Sequence, residues 1–352
     1  MTVFGDVIGH QAVLQLLDGE AGRPAQAYLF VGPGNVGKAT VARRFAAALL
    51  CPDDEARCVS RVLRGIHPDL VLVEPEGRTA LTVEQARATV ALASRAPVEG
   101  ERKVFLFEEA GMMNDEAANA LLKTLEEPSP STIFILVAES EEDLPATVAS
   151  RCRTVYFGRV PEEEILAALV AMAVDEEQAT NASRISGGRP GLALALATRE
   201  EVAGFRRVWL SVPLRLTGRP GDAYRLAEEV IAAADSLLGA MKERQAAELA
   251  AADGEPPAGM RDRHERELRR ATAALYTTGL EILASWYRDA AAAQYGAPPR
   301  NTDIPPTTLT AVTPAAAVRC ARRVLDTLEV LDTHQRPALA FADLFSDLGA
   351  AD

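Results

Sequence analysis

Cysteine is scarce in this sequence: 352 residues carry four, Cys51, Cys58, Cys152 and Cys320. They are too few and too scattered for a disulfide framework, so reduced thiols are expected. Histidine is as sparse, and His10, His67, His264 and His334 fall in no spacing that suggests a metal site or a nucleophilic triad. Basic charge is short as well. Thirty-seven Lys and Arg stand against 50 Asp and Glu, a formal charge of −13, which disfavours tight autonomous binding to a phosphate backbone. Any DNA contact is therefore expected to be local or shared with partners. Long apolar runs are missing too: no stretch of about eighteen apolar residues passes without a charge, and Met1 to His10 holds no basic region followed by an apolar one. The expectation is a cytoplasmic protein with no membrane segment.

What is present suffices for two or three domains, since 48% of the residues are hydrophobic and 25% charged. Short apolar strands are predicted at Tyr28–Val31, Leu70–Val73, Val104–Phe107 and Ile133–Val137, with helix patterns between them, including Ala39–Leu50 after a glycine-rich turn. Buried strands separated by helices imply a parallel sheet covered on both faces. From Pro161 onward the strand signal vanishes. Helical patterns there alternate with breaks at Gly187–Gly191, Pro213, Gly218–Gly221 and Gly254–Gly259. Helical spacing puts Leu226, Val230, Leu237 and Met241 on one face, Leu268, Leu275, Ile282 and Trp286 on a second, and Val318, Leu325, Leu328 and Leu331 on a third. The stretch Arg261–Glu267 mixes both signs of charge, the usual pattern of a solvated helix face.

Two segments carry chemistry. Gly32-Pro33-Gly34-Asn35-Val36-Gly37-Lys38-Ala39 follows a predicted strand and opens a predicted helix, the setting of a phosphate-binding loop. Backbone N–H groups and the helix N-terminus attract phosphate oxygens, and Lys38 can reach the terminal phosphates. The final position should carry a hydroxyl for magnesium and is Ala39. Thr40 comes one residue late, turned away by about 100°. The second segment, Val104 to Phe107, ends in Glu108 and Glu109, where P-loop ATPases place an Asp for the metal and then a Glu for the attacking water. Glu108 is one methylene too long for that role, while Glu109 is intact. The plainer reading is two solvated carboxylates at a strand end.

The run Ala118-Asn119-Ala120-Leu121-Leu122-Lys123-Thr124-Leu125-Glu126-Glu127-Pro128, with Leu144 to Cys152 ending in Ser150-Arg151-Cys152, resembles the signatures of the bacterial clamp-loader AAA+ family. That family includes the delta-prime and gamma/tau subunits of DNA polymerase III. Val7-Ile8-Gly9-His10-Gln11, His67-Pro68-Asp69 and Gly187 to Gly191 match in order and approximate spacing, so the resemblance covers residues 1 to about 200. It implies an α/β P-loop AAA+ domain with a parallel sheet over residues 1–160, a small helical lid over 161–205 and an all-helical collar over 206–352. It also implies nucleotide contacts from Val7, Ile8, Gly32, Gly34, Asn35, Val36, Gly37, Lys38, Ala39 and Thr40, a degenerate metal and water site at Glu108 and Glu109, and a lid-region phosphate contact from Arg189.

Decayed ATPase motifs mark delta-prime in that family, so the resemblance implies a stationary ring subunit with little or no ATPase or polymerase activity of its own. Near the end of the fourth strand, where the family carries a nucleotide-sensing Thr or Asn, stand Ala138 and Glu139. Arg151 matches an arginine that acts in trans on a neighbour's ATP site; the plainer reading makes it a surface ion-pair residue. Implied partners are gamma/tau and delta subunits, with the beta sliding clamp and primed DNA reached through the complex. ATP or ADP could still be held by the loop, but magnesium is not expected to be well held. Zinc is not expected, because Cys51 and Cys58 lack two further ligands, for which Asp53, Asp54 or His67 are the nearest candidates. The alternative is a catalytically competent gamma/tau-like ATPase. A further one, an AAA+ protein of another DNA transaction, should lack the Ala120–Pro128 and Ser150–Cys152 pair.

Overall fold

Strands apolar at every position can be stable only when both faces of their sheet are covered, and the N-terminal part of the chain is built that way. A computed structural model describes residues 3–52, 55–75, 81–251, 260–332 and 336–350. Asp53, Asp54, His334 and the Gly254–Gly259 break lie outside them. The chain divides into two compact units, Met1–Leu194 and Ala195–Asp352.

In the first unit β1 (Ala27–Val31), β2 (Leu70–Leu72), β3 (Lys103–Phe107), β4 (Thr132–Ala138) and β5 (Arg153–Tyr156) form one parallel sheet in the order β2-β3-β4-β1-β5. Residues alternate between its faces as strand geometry requires. Tyr28 and Phe30 pack with Leu17, Val41 and Phe45 on one side, while Ala27, Leu29 and Val31 meet Phe107, Leu121 and Leu136 on the other. The first face is covered by α1 (Gln11–Glu20), α2 (Lys38–Leu50) and α3 (Ala56–Leu63), the second by α4 (Val83–Ala93), α5 (Asp115–Glu126) and the short α6 (Ala146–Ala149). Local signals set the helix starts. Thr82 and Gln85 form a reciprocal capping box on α4, and Asn114 accepts the Ala117 N–H at 2.8 Å to start α5. The helices α7 (Glu162–Ala171), α8 (Glu176–Ser186) and α9 (Pro190–Thr198) follow, α8 ending at Gly187 in the left-handed conformation.

Four of the five strands fall where the sequence puts them. β5 escapes a sequence reading because it is four residues long, carries Arg153, and buries only Val155. An edge strand needs one covered face, so its pattern is faint.

The second unit is helical among its described residues: α10 (Glu200–Arg215), α11 (Pro220–Leu237), α12 (Gly239–Ala251), α13 (Met260–Ala293), α14 (Pro306–Leu309), α15 (Pro314–Asp332) and α16 (Pro337–Gly349). Its core centres on Trp209, Trp286, Phe341 and Phe345, packed with Leu226, Val230, Leu280 and Leu283. Three expectations need correction. Pro213 lies inside α10, which runs two residues further, because a proline in the last turn costs only a bond near the frayed end. On α15 only the later half of the expected stripe packs inward: Leu328 and Leu331 lie against the core with Ala317, Cys320 and Val324, whereas Val318 and Leu325 are 60% and 51% exposed. The charged stretch on α13 is not uniformly solvated either, since His264 is buried with its Nε2 2.9 Å from Glu248 Oε2 on α12.

One polar cluster interrupts this core. Asp289 on α13 is fully buried and accepts both the Asn301 N–H and the Asn301 side-chain amide at 2.8 Å. Arg206 on α10, also buried, donates to Asn301 and pairs with Asp303.

Gly279 on α13 faces the Trp209 indole so closely that an added Cβ would lie 2.1 Å from Cε2. Alanine favours a helix over glycine by about 1 kcal/mol, while overpacking of a rigid core costs roughly 1–3 kcal/mol. The clash should win, so Gly279→Ala is expected to lower the melting temperature of the second unit by several degrees. Calorimetry checks this, and an unchanged or raised transition contradicts the packing described.

Candidate nucleotide site and interface arginine

The phosphate-loop segment and the two glutamates after β3 gather at the C-terminal edge of the sheet, where β1, β3 and β4 end side by side. This is where ligands bind in open parallel sheets. After β1 the chain turns through Gly32 to Gly37 into α2, and Lys38 folds back so that its Nζ donates to the Gly32 and Pro33 carbonyls at 2.6 and 2.7 Å. The ammonium is buried, and burial holds its pKa below the ordinary lysine value while the carboxylates of Glu139 and Asp143 push it the other way. Val36 is buried beneath the loop, Asn35 is left-handed at its exposed tip, Ala39 is half-buried and Thr40 is exposed. Val7 and Ile8 are half-buried in the N-terminal segment, and Val7 packs against the core beneath.

Glu108 and Glu109 follow β3. Glu108 is engaged by Arg43 of α2 through a two-pronged pair, with Nη2 2.8 Å from Oε2. Arg43 stands four residues after Ala39, so both project from one helix face. The position that lacks the hydroxyl for a metal is thus followed, one turn on, by a permanent cation directed at the remaining metal-type carboxylate. A planar guanidinium holds a carboxylate on both oxygens, and a second cation there would have to break that pair. The side chains at this edge therefore do not fit a magnesium-bound triphosphate, whereas the backbone of the loop has the form that receives phosphate.

Arg151 lies between α6 and β5, one-third exposed, with Nη1 donating to the Thr147 carbonyl at 2.6 Å and the guanidinium paired with Glu126 at the end of α5. The two clamp-loader-like signatures therefore meet in one ion pair. An exposed pair of this kind is worth about 0–1 kcal/mol, so Arg151 can leave Glu126 at little cost. Arg189, beyond Gly187 and Gly188, is buried, and its Nε donates to the Ser186 carbonyl at 2.9 Å.

Three residues beyond the sequence expectations take part. His10 adopts a left-handed backbone, packs edge-on against Phe157 and places Nε2 2.9 Å from the Val36 carbonyl, tying the N-terminal segment to the phosphate loop. Arg43 has just been described; its spacing from Ala39 was the available signal. Glu139 lies over the loop, discussed below. The His67-Pro68-Asp69 segment turns out to be a structural tie: His67 Nδ1 accepts the Asp69 N–H, and the Asp69 carboxylate collects the N–H groups of Val98, Glu99 and Gly100. Those bonds hold its carboxyl below the usual range despite burial.

The expectation of four reduced thiols is corrected. Cys51 and Cys58 are joined in a disulfide, while Cys152 and Cys320 keep their thiols. Cys51 caps the end of α2 and Cys58 lies on α3, and the tight connection brings their Cα atoms to 5.9 Å, within bonding range. Sulfurs bonded to each other cannot act as zinc thiolates. Among the described residues no group of three or more His, Cys, Asp or Glu is placed to hold a metal, and no helix is long and apolar enough to cross a membrane.

Residues 9–161 match the family model described as DNA polymerase III, delta subunit. The match covers a little under half of the chain. The chain is 39% identical to the DNA polymerase III subunit delta' of Pseudomonas aeruginosa over 150 residues, which cover 40% of this chain and 45% of that one. It is 30% identical to subunit tau/gamma of Haemophilus influenzae over 236 residues, 63% of this chain and 34% of that one. Against subunit delta' of Bacillus subtilis it is 30% identical over 211 residues, 58% and 64% of the two chains. The chain thus spans between about a third and two thirds of the length of these relatives, and the polymerase III family match lies on the sheet-bearing unit that holds the loop and Arg151.

Thiol chemistry tests the disulfide. Burial pushes the Cys152 thiol up to about 12, and Cys320 is buried as well, so alkylation of the native chain at pH 8 should be slow at both. Unfolded without reductant, the chain should expose two thiols to a thiol reagent, and four after reduction. Four before reduction would show Cys51 and Cys58 unbonded.

Proposed function

We propose that this chain is a delta-prime-type subunit of a DNA polymerase III clamp loader, a stator that hydrolyses little ATP itself and supplies Arg151 to a neighbouring gamma/tau site. The observation that carries this reading is the contrast at the two ends of one domain. The chain's own metal position is spoiled by Ala39 and closed by Arg43, while Arg151 remains at the surface in a pair it can leave cheaply. Natural selection for hydrolysis in cis would not keep that combination, whereas a residue acting across an interface is untouched by loss of the subunit's own chemistry. A guanidinium neutralises charge growing on a transferred phosphoryl group from outside the site. The family-model match of residues 9–161 and the likeness to delta' and tau/gamma sequences supply the context.

On this reading the helical second unit joins gamma/tau and delta subunits, and the assembled loader uses ATP held by its gamma/tau members to open the beta clamp and set it on primed DNA. Val7, Ile8 and the segment Gly32 to Thr40, with Arg189 from the lid region, form a degenerate pocket able at most to hold ADP or ATP without metal-assisted chemistry. Zinc plays no part, and the protein works in the cytoplasm.

Steady-state turnover of the purified chain should be on the order of 10² below that of a gamma/tau subunit or lower, the scale on which loss of one preorganised transition-state contact reduces rate. Hydrolysis at gamma/tau rates, abolished by Lys38→Ala, would replace the stator reading with that of a competent ATPase. A loader reconstituted with gamma/tau and delta tests Arg151 itself. Arg151→Ala should leave assembly nearly unchanged, yet reduce DNA- and clamp-stimulated hydrolysis several-fold, because one site among several borrows this arginine. Arg151→Lys should restore only part. Clamp loading at the wild-type rate by the alanine variant would make Arg151 a plain surface ion-pair residue.

A further inference from the structure

The end of β4 brings a negative charge into a place shaped for one. Register pairs Val31 of β1 with Ala138 of β4, so the chain emerges from the two strands side by side, as the phosphate loop on one and Glu139 on the other. A Cβ added at Gly34, the second glycine of the loop, would lie 2.8 Å from Glu139 Oε1. The Glu139 carboxylate therefore rests against the loop backbone itself. Its direction is not accidental: Asp143 Oδ2 accepts the backbone N–H groups of Glu139 and Ser140 at 2.9 and 2.8 Å, which fixes the turn from which Glu139 projects. Glu139 is exposed and so is held there by charge and by its backbone, not by packing.

The loop's attraction for anions comes from inward N–H groups, the start of α2 and Lys38. An internal carboxylate at Gly34 draws on the same field. We propose that Glu139 is an internal anion of the phosphate loop, competing with nucleotide phosphate for it and setting how weakly this chain binds nucleotide. Glu139 and Asp143 are also the carboxylates whose charge acts on the Lys38 ammonium, so part of the positive potential a phosphate would meet is already neutralised. With Arg43 on Glu108, both charge-bearing parts of the nucleotide complex have counterparts within the chain: a guanidinium facing the metal-type carboxylate and a carboxylate at the phosphate loop. Because Glu139 is not wedged in place, it lowers affinity by competition and does not seal the pocket.

The inference rests on the reading of Gly32 to Ala39 as a phosphate loop and not on Arg151 or any partner. It is therefore tested on the purified full-length chain alone, by titration with a fluorescent ADP analogue without magnesium. Glu139→Gln keeps the shape and removes the charge; Glu139→Thr removes both. Both should bind at least about tenfold more tightly than wild type, and adding Lys38→Ala to either should abolish the gain. An unaltered melting curve shows that the variants are folded. Equal affinity for wild type and Glu139→Gln overturns the proposal, as does a gain confined to Glu139→Thr, which would mean bulk and not charge. A gain that survives Lys38→Ala also overturns it, because the nucleotide would then be bound elsewhere. None of these outcomes bears on the reconstituted-loader assay of Arg151, so the two readings fail separately.

Discussion

A sheet covered on both faces has no room for charge except where its strands stop, and that constraint organises the first unit. β1, β3 and β4 are buried at every position, so each first charged or polar group after them lies at the same edge. Gly32, Glu108 and Glu139 become neighbours because three strands of matched register end together. Whatever charge one strand end loses or gains is felt by the other two. Ala39 is one position, but its surroundings extend further, because Arg43 on the same helix face and Glu108 after β3 form a pair that a metal ion at this edge would have to break.

That edge also explains what could be read from the residues alone. Val104 to Phe107 announces a buried strand, and the glycine spacing before Lys38 announces a loop and a helix, since both are local patterns with a single geometric meaning. The partner of Glu108 is not local. Arg43 looks like any surface arginine until the crossing of α2 over β3 is known, although its four-residue distance from Ala39 is a clue in retrospect. Cys51 and Cys58 read as reduced thiols because four scattered cysteines make no framework, whereas a sequence separation of seven across the α2–α3 connection brings these two sulfurs together. On α15 Val318 and Leu325 read as part of the inward face, but that face runs through Ala317, Cys320, Val324, Leu328 and Leu331, because the helix turns about 100° per residue and a seven-residue spacing drifts off one face.

Arg151 and Glu126 illustrate a different relation between sequence and function. Each lies in its own signature, 25 residues apart, and the signatures read as separate tokens until α5 and α6 bring their ends together. A half-exposed partner is a holding place: it keeps a long, flexible cation in one region of the surface without binding it strongly.

In the second unit the fit of Gly279 against Trp209 constrains α13 at one point, and the rest of the helix poses a specificity problem. Its long helices are rich in alanine, and a helix faced with alanine and leucine can rotate or slide by a turn while burying nearly the same area. Asp289 removes that degeneracy. A carboxylate with no access to water must find its donors, and only one rotation of α13 presents it to both amide groups of Asn301, which Arg206 holds from α10. Apolar packing thus provides the cohesion of the unit, while the buried acid, with the Gly279–Trp209 fit, favours one alignment of the 34-residue helix.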